Sequence, residues 1–401
     1  MPVRVPDDCE YLSAAAEDAD TLAAVDDLAF RHGENSSAYI VTERGWETFW
    51  GPERRGVVRF TRWLGSFVYV TGGVIAAGED QPRVLAKFRE FLELNRWNAL
   101  FVCLGRDQLP PFRELGCQVS KAGEEPIIRL ATASWCGKHF EWLRRQENFC
   151  KRQGLELVEI AADAGDRGYR EDIVPQLETV SREHLAATLH GRELEYFVGR
   201  FRPLEMGRRR LFAVCAGDRI EAFLVCNPCC DGRMWAIEMF RRREDAPRGV
   251  IPFAMLQAMR QMQAEGVELC SLSVIPTVRA TKPIRGDSWA ARGGCFLWWH
   301  GLNWLYDVRG MYHFKSRFRP ESREVYFVSW PRTTFWSMIG FTRVFGLTRF
   351  SWLRLAGSVW RKFGKREARE SLAEPQLRPE KVLRQLPKKK PPQEAPLREG
   401  E

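Results

Sequence analysis

The feature that most constrains this chain is a strand–loop–helix–strand unit that occurs twice. Residues 66–104 read as a strand (66–76), a short loop, a helix (82–97) and a second strand (99–104). Residues 233–274 repeat that order as strand (233–240), basic loop, helix (249–266) and strand (267–274). Phe88, Phe91 and Leu92 recur at helical spacing in the first unit, and Met255, Met259 and Met262 in the second, while the strands alternate apolar with polar residues. A strand–helix–strand unit buries its apolar faces only as part of a layered sheet-and-helix domain. Two such units therefore predict two similar α/β domains, 1–131 and 132–330, followed by an extension over 331–401.

The second unit carries a concentrated charge. Its strand runs from Ala236 through Ile237, Glu238, Met239 and Phe240 into Arg241, Arg242 and Arg243, and Pro247 to Gly249 form a turn before the next helix. Backbone N–H groups, a helix N-terminus and fixed positive charge meet there, which is a way for a chain to grip phosphate. A second basic cluster, interleaved with aromatics, spans Arg309 to Pro320 and includes Lys315 and Arg317. Together they point to a phosphate-bearing substrate. Around these units, residues 137–153 read as a basic helix that bridges the domains and stops at Gly154, and 171–189 as another helix. Leu211–Cys215 and Ala222–Cys226 read as strands around a Gly217-Asp218 turn, with a further hairpin turn over 227–232. Helix, antiparallel strands, then the strand–loop–helix–strand unit is the element order of acetyltransferase-like (GNAT) folds. The expected class is α/β: two tandem GNAT-like domains with mixed central sheets and a basic aromatic C-terminal extension.

Composition narrows the partners. A formal charge of +9 over 401 residues favours an anionic partner such as RNA or an acidic membrane surface. The N-terminus lacks the charged and apolar regions of a signal peptide, and eleven irregularly spaced cysteines suit reduced thiols. No apolar run reaches the about 20 residues that span a bilayer. These features predict a cytoplasmic protein. Residues 326–363 are rich in Trp, Phe and Arg, a pattern for either a helix lying at a membrane interface or a terminal helix packed on the domain. Beyond it, 364–401 reads as a disordered tail whose Lys388–Lys390 would add attraction to anionic lipid. Cys226 and Cys229 have ligand-like spacing but no second pair at zinc-site distance, so no metal is expected, and His184, His190, His300 and His313 form no recognisable triad.

Several short motifs occur in an order that resembles the soluble C-terminal part of lysyl- and alanyl-phosphatidylglycerol synthases. They are Arg31-His32-Gly33 with Ser36 and Tyr39, Gly123-Glu124-Glu125, Gly137-Lys138 with Leu143-Arg144, Gly199-Arg200-Phe201, the run Ile237 to Gly249, and Arg309-Gly310 with Phe314 to Pro320. The resemblance covers roughly residues 25–330. It departs at Glu238, where the family usually has Asp, and at Arg317, where it has a second lysine. The multi-helix membrane half of the full-length synthases is also missing, so flipping of a product would fall to a separate protein.

The resemblance implies transfer of an amino acid, lysine or alanine, from aminoacyl-tRNA to a lipid hydroxyl, that of phosphatidylglycerol, by a protein peripherally bound to the inner face of the cell membrane. No cofactor and no DNA partner are implied. Glu238 would be the acidic residue at the reaction centre, as a general base or as an orienting group, with Arg241 and Lys315 beside it. Arg242, Arg243, Gly249, Arg309 and Arg317 would meet phosphate or the ester, and Lys138 and Arg144 on the bridging helix would meet the tRNA acceptor arm. The segment Cys295 to His300, with Leu302, Trp304 and Leu305, either lines a lipid channel or packs as core. Two other readings stay open: a Fem-like aminoacyl-tRNA-dependent ligase with another acceptor, and a non-catalytic lipid- or RNA-binding module on a GNAT scaffold.

Overall fold

The computed structural model describes residues 2–348, apart from 195, 197 and 198. The tail lysines and the aromatic-basic stretch from residue 349 onward lie outside the described residues. The first half runs β1 (Glu10–Leu12), α1 (Ala19–His32), β2 (Glu47–Trp50), β3 (Gly56–Trp63), β4 (Phe67–Thr71), β5 (Ile75–Ala76), α2 (Gln81–Asn95), β6 (Asn98–Gly105), α3 (Leu109–Glu114) and β7 (Gln118–Arg129). The second continues with α4 (Glu141–Arg152), β8 (Leu155–Ile160), α5 (Val174–Ala187), β9 (Arg210–Ala216), β10 (Arg219–Cys229), β11 (Met234–Arg242), α6 (Val250–Ala264), β12 (Leu269–Ser271) and β13 (Ile275–Pro276). It closes with α7 (Trp289–Leu297), α8 (Val308–Ser316), β14 (Glu321–Trp330) and α9 (Phe335–Val344).

Both repeat units form as the periodicity predicts. In each, the two strands pair in parallel, β4 with β6 and β11 with β12, as a helical crossover requires. Phe88, Phe91 and Leu92 of α2 and Met255, Met259 and Met262 of α6 are buried. Full burial of such side chains stabilises by roughly 1.5–3 kcal/mol each. The fold is α/β with a mixed sheet, and the two halves share that sheet. Its order is β1-β2-β3-β4-β6-β14-β7-β12-β11-β10-β9-β8, with β5 on β3 and β13 on β7. Strand β14, from the far end of the second half, lies between β6 and β7 of the first, so neither half closes its sheet without the other.

Four local readings change. The 137–153 helix begins at Glu141, after one tight turn over Lys138–Phe140. Strand β10 runs on through Cys229, because Cys226 and Cys229 are buried and apolar in character, so the turn falls at 230–233 rather than 227–232. The 267–274 strand is cut to Leu269–Ser271 by a backbone reversal at Ser273 (φ 62°). Tyr326–Trp330 belongs to β14 in the middle of the sheet; only the segment after Trp330 is an amphipathic extension, and its α9 buries Phe341 while exposing Phe335 and Trp336.

Candidate active site

The site sits where two parallel strands part. Strand β12 pairs with β11 only over Met234–Ala236, while β11 continues to Arg242. Beyond Ala236 the two strands diverge and leave a cavity of about 450 Å³. On its other side, β11 pairs with β10, and the register steps from Val225↔Met239 to Cys226↔Ile237. Glu238 is the extra residue of this β-bulge. A bulge resets the alternation of a strand and re-aims a side chain. Accordingly Ile237 packs in the core under α6, whereas Met239, two residues on, packs in the core under α5. Glu238, between them, turns into the cavity.

The carboxyl of Glu238 is buried, and its immediate partners are polar. The Ser273 hydroxyl lies 2.8 Å from Oε2 of Glu238 and 2.9 Å from the Ile237 carbonyl oxygen. Nζ of Lys315 donates to the Ser273 carbonyl oxygen at 3.0 Å. One hydroxyl proton cannot serve both acceptors. When Ser273 donates to Ile237, the carboxyl of Glu238 must itself donate, and only the protonated acid does so. Burial favours that form and pushes Glu238 up to about 8, against the opposing pull of Ser273 and Lys315; the nearby Glu125 adds to the rise. Glu125 is held by the Ser271 hydroxyl at 2.6 Å. Burial likewise pulls Lys315 down to about 8, and the two carboxylates partly oppose this. The cavity thus holds an acid and a base that both exchange protons near neutrality, the property expected of groups that handle protons. His184, also on the wall, is pulled down to about 4 by burial and by Arg241 and Arg242, and stays neutral.

A single helix separates this cavity from a second one. On α8, Met311 and Lys315 face the Glu238 cavity, while Gly310, His313, Phe314 and Arg317 line an open groove of about 810 Å³. The i, i+4 spacing within each set places the two sets on different faces. Across the groove lie α4, with Trp142, Arg145, Phe149 and Arg152, and the start of α6 at Arg248 and Gly249. Gly249 caps α6 with φ 89°, and a Cβ there would collide with Oε1 of Gln146, so the position needs glycine. Arg317 stacks over Trp142 at 4.4 Å. A third space, an apolar slot of about 400 Å³ between α7 and α9, has Tyr306 in its lining, and Tyr306 also lines the Glu238 cavity. Cys295 and Trp298 are buried and line the slot with Leu297 and Leu302, Trp304 and Leu305 line the Glu238 cavity, and Phe296 is exposed outside both.

The remaining expected site residues separate. Lys315 is a buried helical residue. Arg241 lines the cavity wall, yet its guanidinium is taken by the Ser181 hydroxyl and by Glu193 at 2.8 Å. Arg242 is exposed, beyond the lining of either cavity. Arg243 is turned the other way, donating to the Ile220 carbonyl oxygen at 2.7 Å and to Glu183 at 3.1 Å, because strand alternation puts it on the face opposite Arg242. Arg144 donates to the Gly137 carbonyl oxygen at 2.6 Å and so fixes the turn before α4; Lys138 is exposed and outside the groove. Arg309 lies over Trp299 at 5.5 Å, away from Glu238. The Gly199-Arg200-Phe201 motif also acquires a physical role. Gly199 (φ 79°) lets the Glu43 carboxylate accept from the Arg200 N–H at 3.0 Å, where a Cβ would come within 2.7 Å. Phe201 stacks on Phe223 and lies under Arg241. The motif therefore ties the first half to the wall of the cavity. Ser273 and Tyr306 were not foreseen, since nothing in sequence marks an isolated serine or tyrosine that a later chain reversal delivers to Glu238.

Known proteins resemble the chain over most of its length. The phosphatidylglycerol lysyltransferase of Bacillus subtilis (strain 168) is 22% identical over 258 residues, 64% of this chain and 29% of that protein. That of Staphylococcus epidermidis is 19% identical over 326 residues, 80% of this chain and 37% of its own length. The chain thus spans about a third of the curated relatives it matches. Among solved structures, the C-terminal domain of a putative lysylphosphatidylglycerol synthetase from Agrobacterium fabrum superposes with a TM-score of 0.66 at 18% identity, over 82% of this chain and 97% of that one. L-PGS from Bacillus licheniformis gives 0.65 at 19% identity with the same coverage. These two share the fold. Because residues 26–329 match a single family described as "Phosphatidylglycerol lysyltransferase, C-terminal", a stretch that takes in both halves of the sheet, the bulge and α8, the chain belongs to that family.

Proposed function

We propose that this chain is an aminoacyltransferase that moves lysine or alanine from aminoacyl-tRNA to a glycerol hydroxyl of phosphatidylglycerol, working against the inner face of the cell membrane. In this reading residues 1–131 form the supporting half and 132–330 the half that carries the reaction, its last strand lent to the first half's sheet. The tRNA 3′ end lies in the groove, with its phosphates against Arg152, Arg248, Arg317 and the start of α6, and its bases on Trp142 and Phe149. The aminoacyl ester passes beside α8 into the Glu238 cavity. The lipid's glycerol end enters from the side of Tyr306, its chain in the apolar slot.

Ionised Glu238 takes the proton of the acceptor hydroxyl as that oxygen attacks the ester carbonyl. The new ester C–O bond forms, the bond to the ribose oxygen breaks, and the proton passes to that ribose oxygen. Lys315, cationic and fixed by Ser273, stabilises the negative charge that builds on the carbonyl oxygen, and its burial strengthens this effect. A carboxyl near 8 is a stronger base than an ordinary one, at the expense of being mostly protonated at pH 7. The observation that carries the reading is the bulge that aims Glu238 at Ser273, in a cavity it shares with Lys315, between an open cationic groove and an apolar slot. The test is lipid extraction from bacteria expressing the wild type or Glu238→Gln. A new ninhydrin-positive lipid with the wild type alone is expected, and mass spectrometry names its amino acid. A full yield from the variant would overturn the role of Glu238.

A further inference from the structure

The slot between α7 and α9 opens on an unusual surface. Trp289 is 73% exposed, Phe296 and Leu297 55% each, and Phe335 and Trp336 59% each. Trp289, Phe296 and Leu297 fall on one stripe of α7, since seven or eight residues make two turns. Phe335 and Trp336 occupy the first turn of α9. The mouth of the slot is lined by Trp289, Leu297 and Phe335, and Gly293 at its side adds no bulk. Contiguous exposed apolar surface of this kind marks an interaction site.

Charge decides the occupant. Residues 281–300 and 331–348 carry five cationic side chains, Lys282, Arg285, Arg292, Arg332 and Arg343, against one carboxylate, Asp287. That carboxylate is already engaged by Arg292 at 2.7 Å. Arg343 is exposed and stands seven residues from Trp336, on the same face of α9, so its long side chain reaches from the apolar surface towards headgroups. A second copy would bring like charge against like charge, which an isologous contact cannot relieve. An anionic leaflet complements both features: aromatic rings seat at the headgroup boundary, and the cations meet lipid phosphates. Among the described residues no helix is long and apolar enough to cross a membrane, so this is contact from one side.

We propose that the exposed face of α7 and α9 is a membrane-docking surface that seats the protein on an anionic phospholipid leaflet, with the slot opening directly onto the acyl chains. This rests on the aminoacyltransferase reading for its purpose but not for its test. The full chain is floated with vesicles of phosphatidylcholine alone or with 30% phosphatidylglycerol, without tRNA. The variant is Phe296→Ser/Trp336→Ser, two exposed side chains outside the slot lining. The wild type is expected to float with the anionic vesicles only. The variant, melting as the wild type does, should need about tenfold more lipid for half-binding. Equal flotation of variant and wild type would overturn the proposal. So would a wild type that ignores vesicles and runs as a dimer that the double variant turns into monomer. Transfer to a short-chain, monomeric phosphatidylglycerol separates the two ideas: it should survive in the variant, and its absence in the wild type would count against the reaction rather than the docking face.

Discussion

Replacing Glu238 by glutamine keeps the shape of the side chain and a partner for Ser273 but removes the proton equilibrium. The structure gives this change a magnitude. Burial moves the carboxyl from 4.5 to about 8. At about 1.36 kcal/mol per pH unit this corresponds to about 5 kcal/mol at most. The sign follows from linkage. Between pH 4.5 and 8 the unfolded chain has released this proton while the folded protein keeps it, so the group's contribution is whole below 4.5 and is lost as pH rises through 8. Wild-type stability should therefore fall behind that of Glu238→Gln as pH rises, and the gap should level off above pH 8. Lys315 has the opposite profile, its contribution being present above 10.5 and lost as pH falls through about 8. The Glu238 carboxylate partly opposes the fall in Lys315, so the difference between the two proteins reports Glu238 together with its coupling to Lys315. Urea unfolding of the two proteins at pH 5, 6, 7 and 8 is the assay. Relaxation of the cavity reduces the ceiling, and a gap that widens by about 2 kcal/mol or more from pH 5 to pH 8 is expected. Parallel curves would refute the buried, raised carboxyl on which the proposed reaction depends. In activity, the same pair predicts a rise towards pH 8 as Glu238 ionises and a fall beyond it as Lys315 discharges, with the two apparent values belonging to the pair.

Two further outcomes follow from the geometry. Substituting alanine for Arg152, Arg248 or Arg317 should weaken aminoacyl-tRNA binding and flatten the dependence of log K on log salt by about 0.7 for each phosphate left without its cation, read by filter binding at several ionic strengths; an unchanged slope for all three would place the tRNA elsewhere. Arg241→Met should act mainly on stability, by about 3 kcal/mol, because it strands Glu193 without its buried cation; a variant that melts normally yet is inactive would move Arg241 from the cavity wall into the chemistry.

The legible parts of the site were those written in local pattern. The basic loop at the start of α6 and the aromatic-basic run on α8 were visible as motifs, and both border the groove. Arg243 and Arg144 were misplaced because a run of arginines does not say which face each one takes. Strand alternation buries the third of the triplet, and a tight turn claims Arg144 for its own carbonyls. Lys315 was legible as a candidate, but not as the buried partner of a serine peptide 42 residues earlier.

The sequence by itself determined the two strand–helix–strand units and their helices, since periodic apolar residues act over a few neighbours and need no distant partner. It also determined where positive charge would collect. Only the tertiary structure decided that β14 would complete the first half's sheet, that β12 would stop short and open a cavity, and that a bulge would turn Glu238 into it. Those outcomes depend on strand registers and on contacts between residues far apart in the chain, and register is a property of pairs of strands that no single segment encodes.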